Sequence, residues 1–366
     1  MVRRVRMVLL VVSGLLLLMV PLACAPSAAP PPKATEAPKA AAPSAPTTAP
    51  AAAKPAAPTA AQPAVEPATD WPKQPITLIV PWAAGGDTDV PMRIIAEFVG
   101  KELGQPIVVQ NVTGASGTTG TRQAKGAKPD GYTLLSVHEH LTVNKGTGLV
   151  DYGFEAFDLI ANIMFSPEFL MTEASNPWND FKELVADAKK RPNEITIGLT
   201  FGSTAQMFAF LVMHRADIKL KPVGYDGTAQ RMTALLGKQI HLAASPLSSA
   251  LEQWKANRVK VLAFASETRD PRLPHVATFK EQGYDVVSGL NRGWAAPKGT
   301  PRPIIAKVEA AIKRATENPE LKKKIVDVLG SEIAFMPSDK YEAFVKAQEA
   351  ELMKVIKETG MSIPKK

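Results

Sequence analysis

The groups in this 366-residue chain best suited to holding an anion lie in two small-residue loops. The first, Ala84-Gly85-Gly86-Asp87-Thr88-Asp89, follows the apolar run 76–82 and leads into an amphipathic stretch. The second, Gly114-Ala115-Ser116-Gly117-Thr118-Thr119-Gly120, follows the run 106–111 in the same way, and a third apolar run, 132–137, comes after Asp130-Gly131. Gly85 and Gly86 allow the backbone to approach a ligand closely, Thr88 and Asp89 stand where a helix N-cap belongs, Ser116 can cap the second helix and Thr118 can donate a hydroxyl. A carboxylate gains about 1.5–3 kcal/mol from each charge-assisted hydrogen bond, and micromolar affinity needs about 8 kcal/mol net, so a few aligned N–H and O–H donors suffice. Taken one at a time, such loops are better explained as plain turns and caps. Arg292 is a candidate bidentate partner for a ligand carboxylate, or alternatively a lobe-to-lobe salt bridge. In His138-Glu139-His140 an extended backbone would turn both imidazoles to one side, but no third ligand has motif spacing, so no metal is expected. His138 is instead a candidate polar contact from a strand end, with an exposed loop without function as the equal alternative.

Strand, glycine loop and helix, twice in succession, are the elements that position such donors, because a parallel α/β sheet presents N–H groups beyond its strand ends. Further β-type runs occupy 195–200, 221–225, 240–245, 260–266 and 285–288. Between them, Asn179 or Asp180 can cap a helix through Lys190, and Met207, Phe208, Leu211 and Val212 repeat at helical spacing over 204–215 as core positions. Helical patterns over 301–324 and 338–358 end the chain; in the second, Tyr341, Phe344, Val345 and Leu352 form one apolar face. The region after residue 70 is longer than one core usually covers, so the expectation is two lobes: 70–170 with 291–366, and 171–290, joined by crossings near Phe169 and Arg292.

The first 69 residues point outside the cytoplasm. Arg3, Arg4 and Arg6 precede an uncharged run, 7–20, that closes on Pro21-Leu22-Ala23-Cys24, the pattern of a secretory leader over 1–23. Cys24 is the only cysteine, which excludes a disulfide within the chain and suits lipidation at a lipoprotein processing site. Leu22 and Pro21 depart from the usual lipobox order, and an uncleaved anchor is the alternative, although the run is short for a span. Residues 24–69 are almost entirely Ala, Pro, Thr and Ser, a composition that cannot bury enough apolar surface to offset chain entropy; a disordered tether is expected. The net charge of +8 falls with the leader's three arginines, and no basic block is interleaved with aromatics, so nucleic acid is not an expected partner.

The order VPWAAGGDTD, QNVTGASGTTG, AKPDGYTLL, GLTFGSTAQ, GYDGTAQRMTALLGKQIHL, RDPRLPHVATFKEQGYD and GWAAPKGTPRPI resembles the Bug family, the solute-binding receptors of tripartite tricarboxylate transporters. The similarity runs from Trp71 to the C-terminus, and many matches fall in loops, where packing alone does not dictate sequence. The resemblance implies a two-lobed α/β fold of the type II periplasmic-binding-protein kind with the ligand cleft between the lobes. It places Trp82, the loop from Ala84 to Asp89, the second loop at Gly114, Ser116, Gly117 and Thr118, then Phe201-Gly202-Ser203-Thr204 and Asp226-Gly227-Thr228 on that cleft. It also implies a monomer, tethered extracytoplasmically in the periplasm or at the cell surface, that delivers a small carboxylate to a membrane permease without cofactor or catalysis. Asp87 departs from the family's small neutral residue, and a carboxylate there would repel a ligand carboxylate unless it points away or meets a ligand ammonium. Ser116 stands for a frequent glycine, Val112-Thr113 for a frequent Arg-Pro and His241 for a common aspartate. A sensor subunit reporting to a membrane kinase is the alternative role. An extracytoplasmic hydrolase is a weaker one, since Gly-x-Ser-x-Gly, His-Glu-x-x-His and the phosphate loop are all missing.

Overall fold

The computed structural model describes residues 70–361 except 247 and 248; Cys24 and the leader and tether expected before residue 70 lie outside the described residues. The first segment alternates as its sequence pattern requires: β1 (Ile76–Val80), α1 (Asp89–Leu103), β2 (Ile107–Asn111), α2 (Thr118–Lys125), β3 (Thr133–Val137) and α3 (His140–Gly146). Met92, Ile95, Phe98 and Val99 bury one face of α1, and Gly104, at φ +73°, ends it in the left-handed conformation that glycine adopts without strain. The chain continues through β4 (Phe157–Glu173), α4 (Phe181–Lys190), β5 (Thr196–Leu199), α5 (Thr204–Ala216), β6 (Lys221–Gly224), α6 (Thr228–Leu236), β7 (Leu242–Pro246), α7 (Leu251–Lys255) and β8 (Val259–Phe264). It closes with β9 (Gly289–Pro297), α8 (Arg302–Glu317), α9 (Pro319–Lys323), β10 (Glu332–Pro337) and α10 (Ser338–Thr359).

Two α/β lobes share β4. In the first, β2, β1 and β3 pair in parallel, β3 pairs antiparallel with β9, and β9 pairs antiparallel with Phe157 to Pro167 of β4. From Glu168 onward β4 exchanges these partners for β7 and β8, and β7 continues in parallel to β5 and β6. Pro167 sits at the change of partners, where a residue without an N–H is tolerated. The chain returns at Ser288, whose N–H donates to the Ala265 carbonyl while its own carbonyl accepts from Glu168 N–H. Separate apolar clusters fill the lobes, one around Leu78, Ile95, Trp294 and Ile312, another around Phe181, Phe208, Leu242 and Phe279. Helix α10 lays Tyr341 and Val345 on the first lobe and meets α5 of the second through Ile356 and Met207.

Several expectations change. The strand expected over 285–288 is irregular, and the paired strand begins at Gly289. No strand was expected over β4, because it is buried on both faces and shows no alternation to read. The helix expected over 301–324 is broken at Asn318, whose extended backbone precedes Pro319 and whose Oδ1 accepts from Glu320 N–H at 2.8 Å and Leu321 N–H at 3.4 Å, capping α9. At α4 Asp180, not Asn179, is the cap, accepting from Glu183 N–H at 2.8 Å.

Candidate functional site

Three helix N-termini meet around one cavity of about 50 Å³ at the junction of the lobes. The start of α1 contributes Gly86, Asp87 and Thr88, that of α5 contributes Ser203 and Thr204, and that of α6 contributes Gly227 and Thr228. Each follows a strand of the parallel part of a lobe (β1, β5 and β6), so the sheet order aims all three dipoles at the same point. Trp82 and His138, beyond the ends of β1 and β3, and Thr200, beyond β5, line the wall. Glu168, at the partner change of β4, and Arg231, in the first turn of α6, complete it.

The charged groups form a connected set. Arg292 is fully buried; its Nη2 is ion-paired with Asp87, Nη1 donates to Ser166 Oγ at 2.7 Å and Nε to Thr88 Oγ1 at 3.3 Å. Thr228 Oγ donates to the other oxygen of Asp87. Arg231 is buried too, giving Nη1 to Thr200 Oγ1 at 2.9 Å and Nη2 to Thr228 Oγ1 at 3.0 Å and the Ala244 carbonyl at 3.3 Å. Burial lowers its pKa from the ordinary arginine value, against the pull of the Asp87 and Glu168 charges. Glu168 accepts one hydrogen bond, from Ser288 Oγ at 2.7 Å; burial, helped by the charges of Glu139 and Asp87, pushes its pKa up to about 8. The same desolvation holds His138 well below the ordinary histidine value and His140 at about 3, so both rings are neutral near pH 7. Their ring centroids are 4.3 Å apart, and no cluster of three metal-ligating side chains occurs among the described residues.

Of the residues singled out in the sequence, Trp82, Gly86, Asp87, Thr88, His138, Ser203, Thr204, Gly227 and Thr228 line the cavity. Ala84, Gly85 and Asp89 belong to the loop that shapes it: Asp89 accepts from Gly85 N–H at 2.9 Å, Arg93 Nε at 3.0 Å and Asn111 Nδ2 at 2.8 Å. Phe201, Gly202 and Asp226 stand one layer back; Gly202 N–H donates to Gln206 Oε1 at 2.7 Å and Asp226 N–H to Gln230 Oε1 at 3.0 Å. Arg292 lies behind Asp87, which it neutralises, and is not itself on the cavity wall.

The second glycine loop is built differently from its expected form. Ser116 does not cap α2. Its backbone is left-handed at φ +58°, its hydroxyl donates to the Phe201 carbonyl across the lobes, and Gly117, at φ +85°, is the N-cap. Thr118 Oγ1 donates to the Ala115 carbonyl at 2.9 Å, Gly114 sits at φ +123°, and a side chain at Gly117 would meet Trp82 at 3.3 Å. The loop therefore backs Trp82 and latches the lobes together. Gly117→Pro, acceptable had the residue been the first of a helix, now requires a φ that proline cannot adopt. The expected result is a loss of at least about 1–3 kcal/mol in thermal unfolding of the ligand-free protein, whereas an unchanged midpoint would contradict the left-handed assignment.

Sequence reasoning missed Arg231, Glu168 and Thr200. Arg231 was concealed by its position one helical turn beyond the Gly227-Thr228 loop, and Glu168 by its place inside an unbroken buried strand. An acid flanked by apolar residues, Glu168 within IMFSPEFLM (163–171), was the available signal.

A two-lobed α/β fold with helix N-termini converging between the lobes defines a periplasmic binding protein of type II architecture. The match to the tripartite tricarboxylate transporter family receptor over residues 92–361 is more specific: the chain belongs to this family of substrate-binding receptors. A Cupriavidus necator relative, the UPF0065 protein in the gbd 5′ region, is 31% identical over 299 residues, covering 80% of this chain and 89% of its own. The structure of the periplasmic binding protein BugD has 30% identity and a TM-score of 0.74, over 80% of this chain and 99% of that one. MatC from Rhodopseudomonas palustris, solved with bound malate, has 26% identity and a TM-score of 0.74, over 78% of this chain and all of its own.

Proposed function

We propose that this protein is an extracytoplasmic solute-binding receptor that captures a small carboxylate-bearing ligand in the cavity between its lobes and delivers it to a tripartite tricarboxylate-type membrane permease. The observation that carries the reading is the convergence of the N-termini of α1, α5 and α6, 15, 13 and 9 residues long, on one cavity. Each helix start brings partial positive charge and N–H groups, and the hydroxyls of Thr88, Ser203, Thr204 and Thr228 stand beside them. The family is one of substrate-binding receptors, and on this reading the ligand leaves unchanged. No cofactor is required. Malate in the related MatC supports the carboxylate class. Opening and closing of the lobes around β4 and the return at Ser288 admits the ligand. Processing and lipidation at Cys24, with residues 24–69 as tether, keep the monomeric receptor near its permease, and none of the described helices is long and apolar enough to cross a membrane.

The test is calorimetry of the protein with the compound that co-purifies with it, identified by mass spectrometry, and with that compound's methyl ester. Loss of one charge-assisted anion contact weakens binding by about tenfold to a hundredfold. The acid is expected to bind more tightly than the ester by at least that factor. Equal affinities would contradict an anion site.

A further inference from the structure

Among the described residues Arg231 is the one cation of the site whose charge is not balanced at contact distance. Asp87 is matched by Arg292, leaving that pair neutral. Arg231, 4% exposed, is surrounded instead by neutral acceptors, the hydroxyls of Thr200 and Thr228 and the carbonyl of Ala244, and its Nε–H has no acceptor among the described residues although it belongs to the cavity wall. A guanidinium cannot shed its proton to escape such a place, and a buried cation with an unpartnered donor is among the costliest arrangements in a protein. Glu168, the other charged wall residue without an ion-pair partner, has an escape: a carboxyl can hold its proton, and only Ser288 donates to it. With Asp87 and Arg292 cancelling and Glu168 protonated, the wall carries a single unbalanced positive charge. Trp82 Nε1, also buried and without an acceptor, adds a second donor from a wall residue.

We propose that the site selects monocarboxylates: Arg231 is the counter-charge for one ligand carboxylate, and among the described wall residues no second unpaired cation stands ready for another. This rests on the carboxylate-receptor reading and narrows it. A dicarboxylate would bring a second negative charge that must shed its water in the cavity without meeting an unpaired cation among the described wall residues, beside the Asp87 carboxylate that Arg292 already matches. A zwitterion would have to strip its ammonium of water to reach Glu168, which is already satisfied by its proton and Ser288. Arg231 is thus a specificity-determining residue that spacing alone did not reveal.

The experiment is calorimetric titration of the full chain with pairs of matched carbon skeleton: propionate and malonate, butyrate and succinate, lactate and malate, hexanoate and adipate, with 4-aminobutyrate as the zwitterion of the four-carbon set. In the best-binding pair the monocarboxylate is expected to bind at least about tenfold more tightly than its partner, and Arg231→Gln to weaken it by about a hundredfold. Arg231→Lys, which keeps the charge but not the fork, should retain part of the affinity. The ligand-free melting temperature of Arg231→Gln should hold or rise, because the substitution removes an uncompensated buried charge. Should that variant fail to fold, the wild-type preference decides the matter alone. Tighter binding of a dicarboxylate or of 4-aminobutyrate, or unchanged affinity in Arg231→Gln, would overturn the monocarboxylate assignment while leaving a carboxylate receptor standing. Binding of none of the acids would overturn both.

Discussion

Asp87→Asn should destabilise the ligand-free protein by about 3–5 kcal/mol, the cost of leaving a buried charge without its partner. The stranded group is Arg292, which is fully buried and keeps only neutral acceptors, Ser166 Oγ at 2.7 Å and Thr88 Oγ1 at 3.3 Å among them, once the carboxylate charge is gone. For a chain of this size the loss corresponds to a fall of roughly 6–15 °C in melting temperature. Arg292→Met should cost less than Asp87→Asn, because the Asp87 side chain is 14% exposed and can turn to water. The double variant Asp87→Asn/Arg292→Met should then recover much of the loss, since a buried pair replaced as a unit leaves no charge behind. Denaturation midpoints of the three variants measure this. A double variant as unstable as the sum of the singles would show that the two groups act independently.

The second large effect is a pH dependence carried by Glu168. Its folded pKa of about 8 lies above the ordinary glutamate value of 4.5, so the folded state binds a proton that the unfolded chain has already released. Stability from this group is fully present below pH 4.5 and is lost as pH rises through 8. Glu168→Gln mimics the protonated form and removes the slope. At pH 4.5 the variant and the wild type should melt together; at pH 8.5 the variant should be more stable by on the order of 4 kcal/mol. Buried His138 and His140 act in the opposite sense, costing stability as pH falls below 6.5, but they are common to both proteins and cancel in the comparison. Parallel melting curves across this range would show that Glu168 is ionised throughout.

The legible parts of the fold were those with a local signature. Asp180, one of the two caps the sequence offers for α4, acts by a rule that reaches within four residues, and Gly104 and Ser203 end and cap their helices by rules of the same local kind. The first glycine loop was legible for the same reason: Gly86, Asp87 and Thr88 reach the cavity wall because a strand, a turn and a helix dictate it. What the sequence did not disclose depends on partners far along the chain. Strand β4 is apolar on both faces and changes sheets at Pro167, which no periodicity reports. The Ser116 loop follows the same strand–loop–helix pattern as the first loop, yet its hydroxyl is spent on Phe201, 85 residues away. Arg292, for which the sequence leaves a ligand contact and a salt bridge both open, is ion-paired with Asp87, while Arg231, hidden in a helix, has no ion-pair partner among the described residues. The departure of Asp87 from the family's small residue was the visible half of that exchange.

The most direct test is a crystal structure of the protein with the tightest-binding carboxylate of the matched series. The ligand is expected in the cavity between the starts of α1, α5 and α6, with its carboxylate within hydrogen-bond distance of Arg231 Nε and the Asp87–Arg292 pair intact beneath it. Saturating ligand bound elsewhere, such as along the surface groove of Arg93 and Lys101, with the interlobe cavity unoccupied, would contradict this assignment.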